Sequence, residues 1–245
     1  MEIVLFGYGK MGKLIEEMAI KRGHSIHLIV NQSNASTISL DDFRGADIAI
    51  DFSTPQVTLD HINLCMEADL PIVVGTTGWY EHLEDIKKTC EEGNKTLLYG
   101  SNFSIGVNIL FHVNKKLAKI MSEFEDYEVL LEEIHHTQKL DSPSGTAITL
   151  ANGVISESKK LDSWINYIAG HEPDRIPKKN ELLIESHRIE DIPGTHTVIY
   201  SSEIDQIELK HIAHNRNGFA QGAVLAAEWL QGKKGFYEVS SMFSF

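Results

Sequence analysis

The chain has 245 residues, 42% of them hydrophobic and 23% charged, which is enough apolar material for one large domain or two smaller ones. Its formal net charge of -13 argues against nucleic acid as a partner, since phosphate contacts need a basic surface, but it permits a small anionic ligand. The two cysteines, Cys65 and Cys90, are too few for a disulfide framework, and we find neither a signal peptide nor a membrane-spanning apolar run, so we expect a cytoplasmic protein without membrane contact.

The first half of the chain alternates short apolar strands with amphipathic helices. Strands are predicted over residues 3–6 and in "SIHLIV", "ADIAIDFS", "PIVVGTTG" and "KTLLYGS", with helices in three of the stretches between them. Repeated β-α-β units with continuous apolar strands are typical of a doubly wound parallel sheet of the Rossmann type. We therefore predict an α/β dinucleotide-binding domain over residues 1–106.

A glycine-rich loop joins the first strand to the first helix. Its residues, Gly7, Tyr8, Gly9, Lys10, Met11 and Gly12, form the pattern G-x-G-x-x-G. Between a strand and a helix, such glycines permit a tight turn and close backbone approach, and the helix N-terminus offers free N–H groups to a pyrophosphate. A turn without a ligand is the alternative, and its position in a β-α-β unit makes it the weaker one. We predict that the loop binds NADH or NADPH.

Asn31 ends the second strand, where dinucleotide sites usually carry an acidic residue that binds the ribose hydroxyls. Asparagine can still hydrogen-bond a hydroxyl, and it does not repel a 2′-phosphate as a carboxylate does. Lys10 in the glycine-rich loop could meet additional negative charge. The sequence therefore leaves the choice between NADH and NADPH open and is compatible with the use of both.

Two later loops follow predicted strands of the same sheet. They contain Gly75, Thr76 and Thr77 after "PIVV", and Gly100, Ser101, Asn102 and Phe103 after "TLLY". Ligands of open α/β sheets bind beyond the carboxyl ends of the strands, and small or hydroxylated residues there suit a nicotinamide carboxamide. Ordinary turn chemistry explains either loop alone about as well. Their common position favours a role in cofactor binding.

From residue 107 to residue 216 the pattern changes. Helices are predicted in "ILFHVNKKLAKIMSEF" and "TAITLANGVISES", and strands in "YEVLLEEIHH", "ELLIESHRI", "GTHTVIYSS" and "DQIELKHIA". Grouped strands predict an α+β domain with a mixed or antiparallel sheet covered by helices on one face. We assign substrate binding and subunit association to this domain, and we expect the last helix, within residues 217–245, to pack back on the first domain.

The segment "EIHHTQKLDSPSGTA", residues 133–147, has the densest set of reactive groups. His135 and His136 are adjacent at the end of a strand, so their side chains point to opposite faces. Because neighbours on a strand cannot readily share one ion and no further ligand motif occurs, we expect no metal. Lys139 follows closely, and both residue types can transfer protons near neutral pH in a suitable site.

A helix start follows the lysine. Ser144, Gly145 and Thr146 combine a serine N-cap with a glycine and a second hydroxyl, which together can cradle a carboxylate. An N-cap without a ligand is the alternative for the three residues alone. Beside His136 and Lys139 they form a compact anion site next to a proton donor, which on one chain with a dinucleotide-binding domain indicates a reductase of a small carboxylated substrate.

The motifs "GYGKMGK", "VVGTTG", "SNFSIGVN", "EIHHTQKLDSPSGTA" and "HNRNGFAQGAVLAAEWL" together resemble the 4-hydroxy-tetrahydrodipicolinate reductase (dihydrodipicolinate reductase) family, in the family's order and over nearly the whole chain. The resemblance implies NAD(P)H-dependent reduction of that substrate in diaminopimelate and lysine biosynthesis. It also implies that His135 donates or accepts a proton, that Lys139 donates one, and that His136, Gly145 and Thr146 hold the substrate carboxylates. The three glycine-containing loops would line the cofactor, and the C-terminal sheet would assemble a homotetramer.

Two other classes of protein stay open on the residues alone. One is a different small-acid oxidoreductase with the same sheet, such as an amino-acid dehydrogenase, against which the Ser-Gly-Thr cradle speaks. The other is a non-catalytic dinucleotide sensor, which would need no proton donor. Arg216, in "HNRNGFA", is compatible with anchoring the site or with a structural ion pair.

Overall fold

The computed structural model describes residues 1–172 and 175–244. They form two compact units, of which the first comprises Met1–Ile105 with Arg216–Phe245 and the second Gly106–Asn215. The chain thus leaves the first unit once and returns to it for the C-terminal helix.

The elements of both units follow in chain order. The first unit begins with β1 (Glu2–Phe6), α1 (Lys10–Lys21), β2 (Ser25–Val30), β3 (Ile48–Asp51), α2 (Pro55–Glu67), β4 (Ile72–Val74), α3 (Leu83–Glu92) and β5 (Thr96–Tyr99). The second unit contains α4 (Ile105–Met121), β6 (Glu128–His135), α5 (Gly145–Ile155), β7 (Ser163–Ile168), β8 (Glu181–Arg188), β9 (Gly194–Ser201) and β10 (Gln206–Ala213). The chain then returns through α6 (Asn217–Leu230) and β11 (Gly235–Glu238).

The sheet of the first unit has six parallel strands in the order β11-β5-β4-β3-β1-β2. Its central strands are buried on both faces, as continuous apolar runs such as "IVLF" require. The predicted doubly wound parallel sheet is confirmed. The sequence prediction missed β11, because "GFYE" has no aliphatic residue and begins with a glycine, which is disfavoured in strands.

Helix α6 packs on this sheet together with α1. Ala220, Ala223, Val224, Ala227 and Leu230 recur at the helical spacing of three and four residues and are all fully buried. Small side chains let the helix approach the sheet closely, and the predicted return of the last helix is confirmed. In the part of the chain that the structure describes, no helix has both the length and the apolar character needed to cross a bilayer.

The sheet of the second unit has five strands in the order β10-β9-β6-β8-β7. Strand β6 pairs parallel with β8 and antiparallel with β9, and β7 pairs parallel with β8, so the predicted mixed sheet is confirmed. The sequence prediction missed β7, because "SWINYI" shows no clear alternation of apolar and polar residues. In the structure none of its residues is fully buried. One face packs against apolar residues of α4 and α5, including Leu110, Leu150 and Val154.

Candidate active site

The glycine-rich loop of the first unit approaches the backbone that follows β3. Gly7 has φ +87°, and a Cβ atom there would lie 2.5 Å from the carbonyl oxygen of Phe52. A Cβ at Gly12 would lie 2.2 Å from the carbonyl oxygen of Gly7, so α1 can pack this closely on the loop only through a glycine. The Gly7 N–H donates to the Val30 carbonyl at 2.9 Å, which ties the loop to the end of β2.

The start of α1 fits a bound pyrophosphate. Gly9 is its N-cap, has no side-chain cap, is exposed, and has open space where a Cβ would project. The first N–H groups of the helix therefore have no side-chain acceptor at the N-cap, and the helix dipole favours an anion there. Lys10 is exposed beside them, while Met11 packs against the core.

Tyr8 is anchored from α1. Its hydroxyl donates to the Glu16 carboxylate, which raises the pKa of Tyr8 above its ordinary value, and Lys13 Nζ lies 5.8 Å from the ring centroid. The hydroxyl of Tyr8 is thus already paired within the protein.

Strand β1 lies between β2 and β3, so the chain places β2 on one side of β1 and β3 on the other. Such a switch point is where open α/β sheets bind nucleotides. Asn31 follows β2 there and folds into a local turn. Its Oδ1 accepts from the N–H and hydroxyl of Ser33 at 2.9 and 2.6 Å, and its N–H donates to Asn34 Oδ1 at 2.8 Å. Neither of these partners is a carboxylate.

A buried carboxylate holds the loop after β4 in place. Asp51 ends β3, and its Oδ1 accepts from the Thr76 hydroxyl at 2.5 Å and from the Ser53 N–H at 3.0 Å. Its Oδ2 lies 2.6 Å from His61 Nδ1, and the His61 ring stacks on Phe6 with centroids 4.3 Å apart. This network joins the loops after β3 and β4, so the Thr76 hydroxyl has a structural partner.

The remaining predicted cofactor residues occupy the same edge of the sheet. Gly75 approaches the Phe52 ring so closely that a Cβ would lie 2.2 Å from it, and Thr77 is exposed beside it. After β5, Gly100 is buried against Val239, whereas Ser101 is exposed. The Asn102 Oδ1 accepts from the Ser104 N–H at 2.9 Å. Phe103 is 2% exposed in the core, and its carbonyl packs so closely on α6 that a Cβ at Gly222 would lie 1.7 Å from it, so the residue shapes the loop from beneath.

The polar groups of the second unit lie at one end of the helix-covered face of its sheet. Alternate residues of β6 point to this face, and paired residues of β8 and β9 point the same way. The register aligns Leu131 with Ile184 and Val198, Glu133 with Ser186 and His196, and His135 with Arg188. The face is therefore apolar under the helices and polar where β6 ends.

Glu133 is the centre of this polar end, and its side chain is fully buried. Its Oε1 accepts from Ser186 Oγ at 2.8 Å, from the Ser144 N–H at 3.3 Å, and from both terminal nitrogens of Arg188 at 3.2 Å. Burial alone raises the pKa of the Glu133 carboxyl, but the His135 imidazole and the Ser144 and Ser186 donors lower it, and the net pKa lies well below the ordinary value. The group is therefore an ionised carboxylate.

His135 lies beside this carboxylate, 8% exposed. Its Nδ1 is 3.0 Å from Glu133 Oε2, an ion-pair distance, although neither atom has an aligned hydrogen bond among the described residues. The His196 ring meets the His135 ring edge-on with centroids 5.0 Å apart, and burial followed by the charge of His135 lowers the pKa of His196 to about 3. His196 is therefore neutral near pH 7.

Ser144 connects His196 to α5. It is the N-cap of the helix, and its Oγ accepts from the Ala147 N–H at 3.2 Å and lies 3.0 Å from His196 Nε2. The Ser144 N–H also donates to Glu133. The hydroxyl and the amide of Ser144 therefore both already have partners within the protein. Gly145 is exposed with open space around its Cα, and Thr146 is half-buried beside it.

Lys139 lies in the loop between β6 and α5. Its Nζ is 2.8 and 2.9 Å from the two carboxylate oxygens of Asp141, and these contacts bring the net pKa of Asp141 below its ordinary value although burial raises it. Arg188 Nη2 donates to the Asp141 carbonyl at 2.7 Å. Through this contact Arg188 links the lysine loop to Glu133.

His136, the other predicted substrate residue next to the lysine loop, is half-buried at the end of β6.

Glu133, His135 and His196 have ligand atoms within 4.8 Å of one another, as a metal site requires. The adjacent pair His135 and His136 does not reveal this group. Its other histidine, His196, lies on β9 and meets Glu133 and His135 only because β9 pairs with β6. Arg188 already balances the Glu133 charge, and His196 Nε2 already faces Ser144. With the carboxylate charge balanced in this way, we assign no metal to the group.

Sequence reasoning did not identify several residues that shape the two sites. They are Asp51, His61, Glu133, Arg188 and His196. The sequence does contain a pattern that could have revealed the three residues of the second sheet. Each is a polar residue in the alternating set of positions that points to the inner face of its strand, as Arg188 is after Leu182, Ile184 and Ser186. Arg216 is the exposed N-cap of α6.

Comparison with known proteins shows which family the sequence matches. Residues 1–103 match the family described as "Dihydrodipicolinate reductase, N-terminus", and residues 106–243 match "Dihydrodipicolinate reductase, C-terminus". A protein named 4-hydroxy-tetrahydrodipicolinate reductase from Christiangramia forsetii is 44% identical over 244 residues, covering 100% of this chain and 98% of its own length. One of the same name from Rickettsia bellii is 36% identical, covering 94% and 89%. The fold is similar to that of dipicolinate-bound dihydrodipicolinate reductase from Paenisporosarcina sp. TG-14, with TM-score 0.76, 20% identity and 99% of each chain covered.

Proposed function

The chain belongs to the dihydrodipicolinate reductase family, and from this premise we propose that it reduces 4-hydroxy-tetrahydrodipicolinate to tetrahydrodipicolinate with His135 and Lys139 as its proton-transfer groups. It is an NAD(P)H-dependent oxidoreductase of diaminopimelate and lysine biosynthesis. The observation that carries the residue assignment is the polar end of the second sheet, where a histidine, an ionised carboxylate and a helix start meet.

The first unit supplies the cofactor site in this proposal. The reduced nicotinamide, when bound, provides a hydride. The N–H groups at the start of α1 bind the pyrophosphate, and the loops after β4 and β5 face the nicotinamide. We propose that both NADH and NADPH are used, because Asn31, where such sites usually carry an acidic residue, is an amide and not a carboxylate, and Lys10 adds positive charge. The cytoplasm, where both reduced cofactors are available, is the proposed location.

The second unit holds the dicarboxylate substrate and supplies protons. The hydroxylated substrate loses water to give an unsaturated ring imine, and this ring accepts the hydride. Negative charge develops on the ring as it does so, and a cationic group beside it stabilises that charge and then protonates the ring. His135 and Lys139 have this role. The substrate carboxylates bind to His136 and to the helix start at Gly145 and Thr146, where the dipole of α5 favours an anion.

We also propose that the protein is a homotetramer assembled through the outer face of the second sheet. On that face the register aligns four half-buried apolar residues, Ile165, Leu183, Leu130 and Ile199, in one row across four strands. A continuous apolar row on an open sheet face is typical of a subunit interface.

The test is oxidation of NADH or NADPH, followed by the absorbance of the reduced nicotinamide, with substrate generated in place from pyruvate and aspartate semialdehyde by the preceding synthase. We expect synthase-dependent oxidation with either cofactor. His135→Ala and Lys139→Ala should each lower kcat by about a hundredfold or more, in keeping with the usual effect of general acids. Lys159→Ala is the control, because Lys159 pairs with Glu123 on the surface of the same unit.

The other outcomes separate the rival classes. Cofactor binding without turnover would point to a dinucleotide sensor, and turnover of amino or hydroxy acids in a substrate panel would point to another dehydrogenase. Synthase-dependent turnover that both alanine variants retain would keep the reductase and refute the assignment of His135 and Lys139.

A further inference from the structure

We propose that Arg188 and Glu133 are positioning residues that hold the two proton-transfer groups, His135 and the Lys139 loop, in a single arrangement. The inference rests on the proposed function, in which these two groups deliver protons to the substrate. In this inference the ion pair of Arg188 and Glu133 acts through these two groups and not through contact with the substrate.

The strand register places the pair where it can act on His135. Arg188 is the last residue of β8 and lies directly across from His135, the last residue of β6. Glu133, two residues before His135, points to the same face. The guanidinium thus lies over the Glu133 carboxylate with both Nη atoms 3.2 Å from Oε1, and the second carboxylate oxygen is left beside the imidazole.

The same guanidinium reaches the lysine loop. Arg188 Nη2 donates to the Asp141 carbonyl at 2.7 Å, and the Asp141 side chain binds Lys139 Nζ through both carboxylate oxygens. A planar fork with fixed donor directions can connect a carboxylate on a strand to a carbonyl in a loop, and the ammonium of a lysine, a point charge on a flexible stem, holds two such acceptors with less directional control. Two groups that are four residues apart in a loop-forming segment are thereby fixed relative to each other.

Glu133 also constrains the His135 ring. A carboxylate 3.0 Å from Nδ1 repels a lone pair and attracts a proton, so it favours the imidazole form with hydrogen on Nδ1. Nε2 is then the atom that exchanges a proton with a ligand. An ordered second group that sets the tautomer of a reactive histidine is a general way of preparing it for proton transfer.

The experiment compares Arg188→Lys, Arg188→Gln and Glu133→Gln with a matched control. Arg175 and Glu181 form a bidentate ion pair at the start of β8, with both N···O distances 2.6 Å, so Arg175→Gln breaks a more exposed Arg–Glu pair at the other end of the same strand. For each variant we would measure kcat, the KM of the cofactor and of the substrate, and the solvent isotope effect in D2O.

We expect Arg188→Gln and Glu133→Gln to lower kcat by about a hundredfold, because misplacement of a reacting group by about 1 Å has effects of this size. Cofactor KM should change less than twofold. The solvent isotope effect should increase, because proton transfer becomes slower relative to the other steps. Arg188→Lys should restore part of kcat, and Arg175→Gln should behave like the wild type in every measurement.

A double variant guards against simple misfolding. Glu133→Gln combined with Arg188→Met removes both buried charges, so it should recover thermal stability relative to the single variants while kcat stays low. Recovery of kcat together with stability would refute the positioning role, and so would single variants with the kcat and isotope effect of Arg175→Gln.

Failure of the proposed function looks different. The wild-type protein would then show no synthase-dependent oxidation, and the positioning role would fall with it. Independently of turnover, the 15N shifts of the His135 ring report its tautomer. A ring that carries its hydrogen on Nε2 in the wild type, or one that Glu133→Gln leaves unchanged, would contradict the inference by itself.

Discussion

Gly9 and Gly12 belong to the same loop, yet a methyl group would meet different surroundings at the two positions. At Gly12 a Cβ would lie 2.2 Å from the Gly7 carbonyl oxygen, whereas at Gly9 nothing lies within 4 Å. Gly9 also has φ -81°, which any residue adopts. The fold therefore requires a glycine at position 12 but not at position 9, where we propose that the pyrophosphate binds.

Gly9→Ala should separate these two requirements. We expect its unfolding free energy to stay within about 0.5 kcal/mol of the wild type, because the added methyl group meets open space. The dissociation constant for NADH should rise about tenfold or more, because the methyl group would project toward the pyrophosphate. Thermal melts and a fluorescence titration with NADH would measure both. Unchanged NADH affinity would remove this loop from the cofactor site.

At the scale of elements, His196 joins β9 to the first turn of α5. Its neutral ring faces the hydroxyl of Ser144, the residue that caps the helix. Burial and the neighbouring His135 lower the pKa of His196 from 6.5 to about 3, so the unfolded chain binds a proton that the folded chain rejects throughout this interval. The free energy of unfolding must therefore fall as the pH falls from 6.5 toward 3.

His196→Gln should weaken that dependence, because glutamine can accept a hydrogen bond from Ser144 but does not titrate. One proton corresponds to a slope of about 1.4 kcal/mol per pH unit, which is the most that the variant can remove. Urea unfolding followed by circular dichroism at pH 7, 6 and 5 would measure it. His211, whose pKa burial also lowers, lies opposite His196 on β10 and its charge acts on His196, so the two pH profiles are also compared in a His211→Gln background. Parallel pH profiles for the two proteins would contradict the assignment.

For the whole molecule, the two faces of the second sheet differ in what covers them. The inner face packs against α4 and α5, but the outer row of Ile165, Leu183, Leu130 and Ile199 is only half-buried within one chain. Water contact along a row of this kind is unfavourable by roughly 25 cal/mol for each Å² of apolar surface, which favours association of chains.

Leu130→Glu should dissociate the proposed tetramer, because it places a charge in the middle of the row. We expect light scattering to give about four times the chain mass of 27.5 kDa for the wild type and a smaller species for the variant. Ile204→Glu is the control, since Ile204 is 92% exposed and lies outside the row. A wild-type protein with the mass of one chain, or a variant that keeps the wild-type mass, would refute this interface.

Much of the architecture follows from local patterns in the sequence. Continuous apolar runs identified five strands of the first sheet, helical spacing identified α6 and its return, and grouped strands indicated the second, mixed sheet. The glycine-rich loop and the segment from Glu133 to Ala147 were recognisable because their chemistry is contiguous in the chain. Strands β11 and β7 were missed, because neither "GFYE" nor "SWINYI" contains the continuous aliphatic run or the clear alternation that marks the other strands.

The partners of the reactive groups came only from the tertiary structure. Arg188 contacts Glu133 from 55 residues away, and Ser144 meets His196 from 52 residues away, because β6 lies between β8 and β9. Nothing local in the chain specifies that strand order. The sequence by itself determined which side chains are inward and polar, since alternation along a strand is a local property. Only the pairing of the strands determined which of these side chains share a charge, a hydrogen bond or a proton.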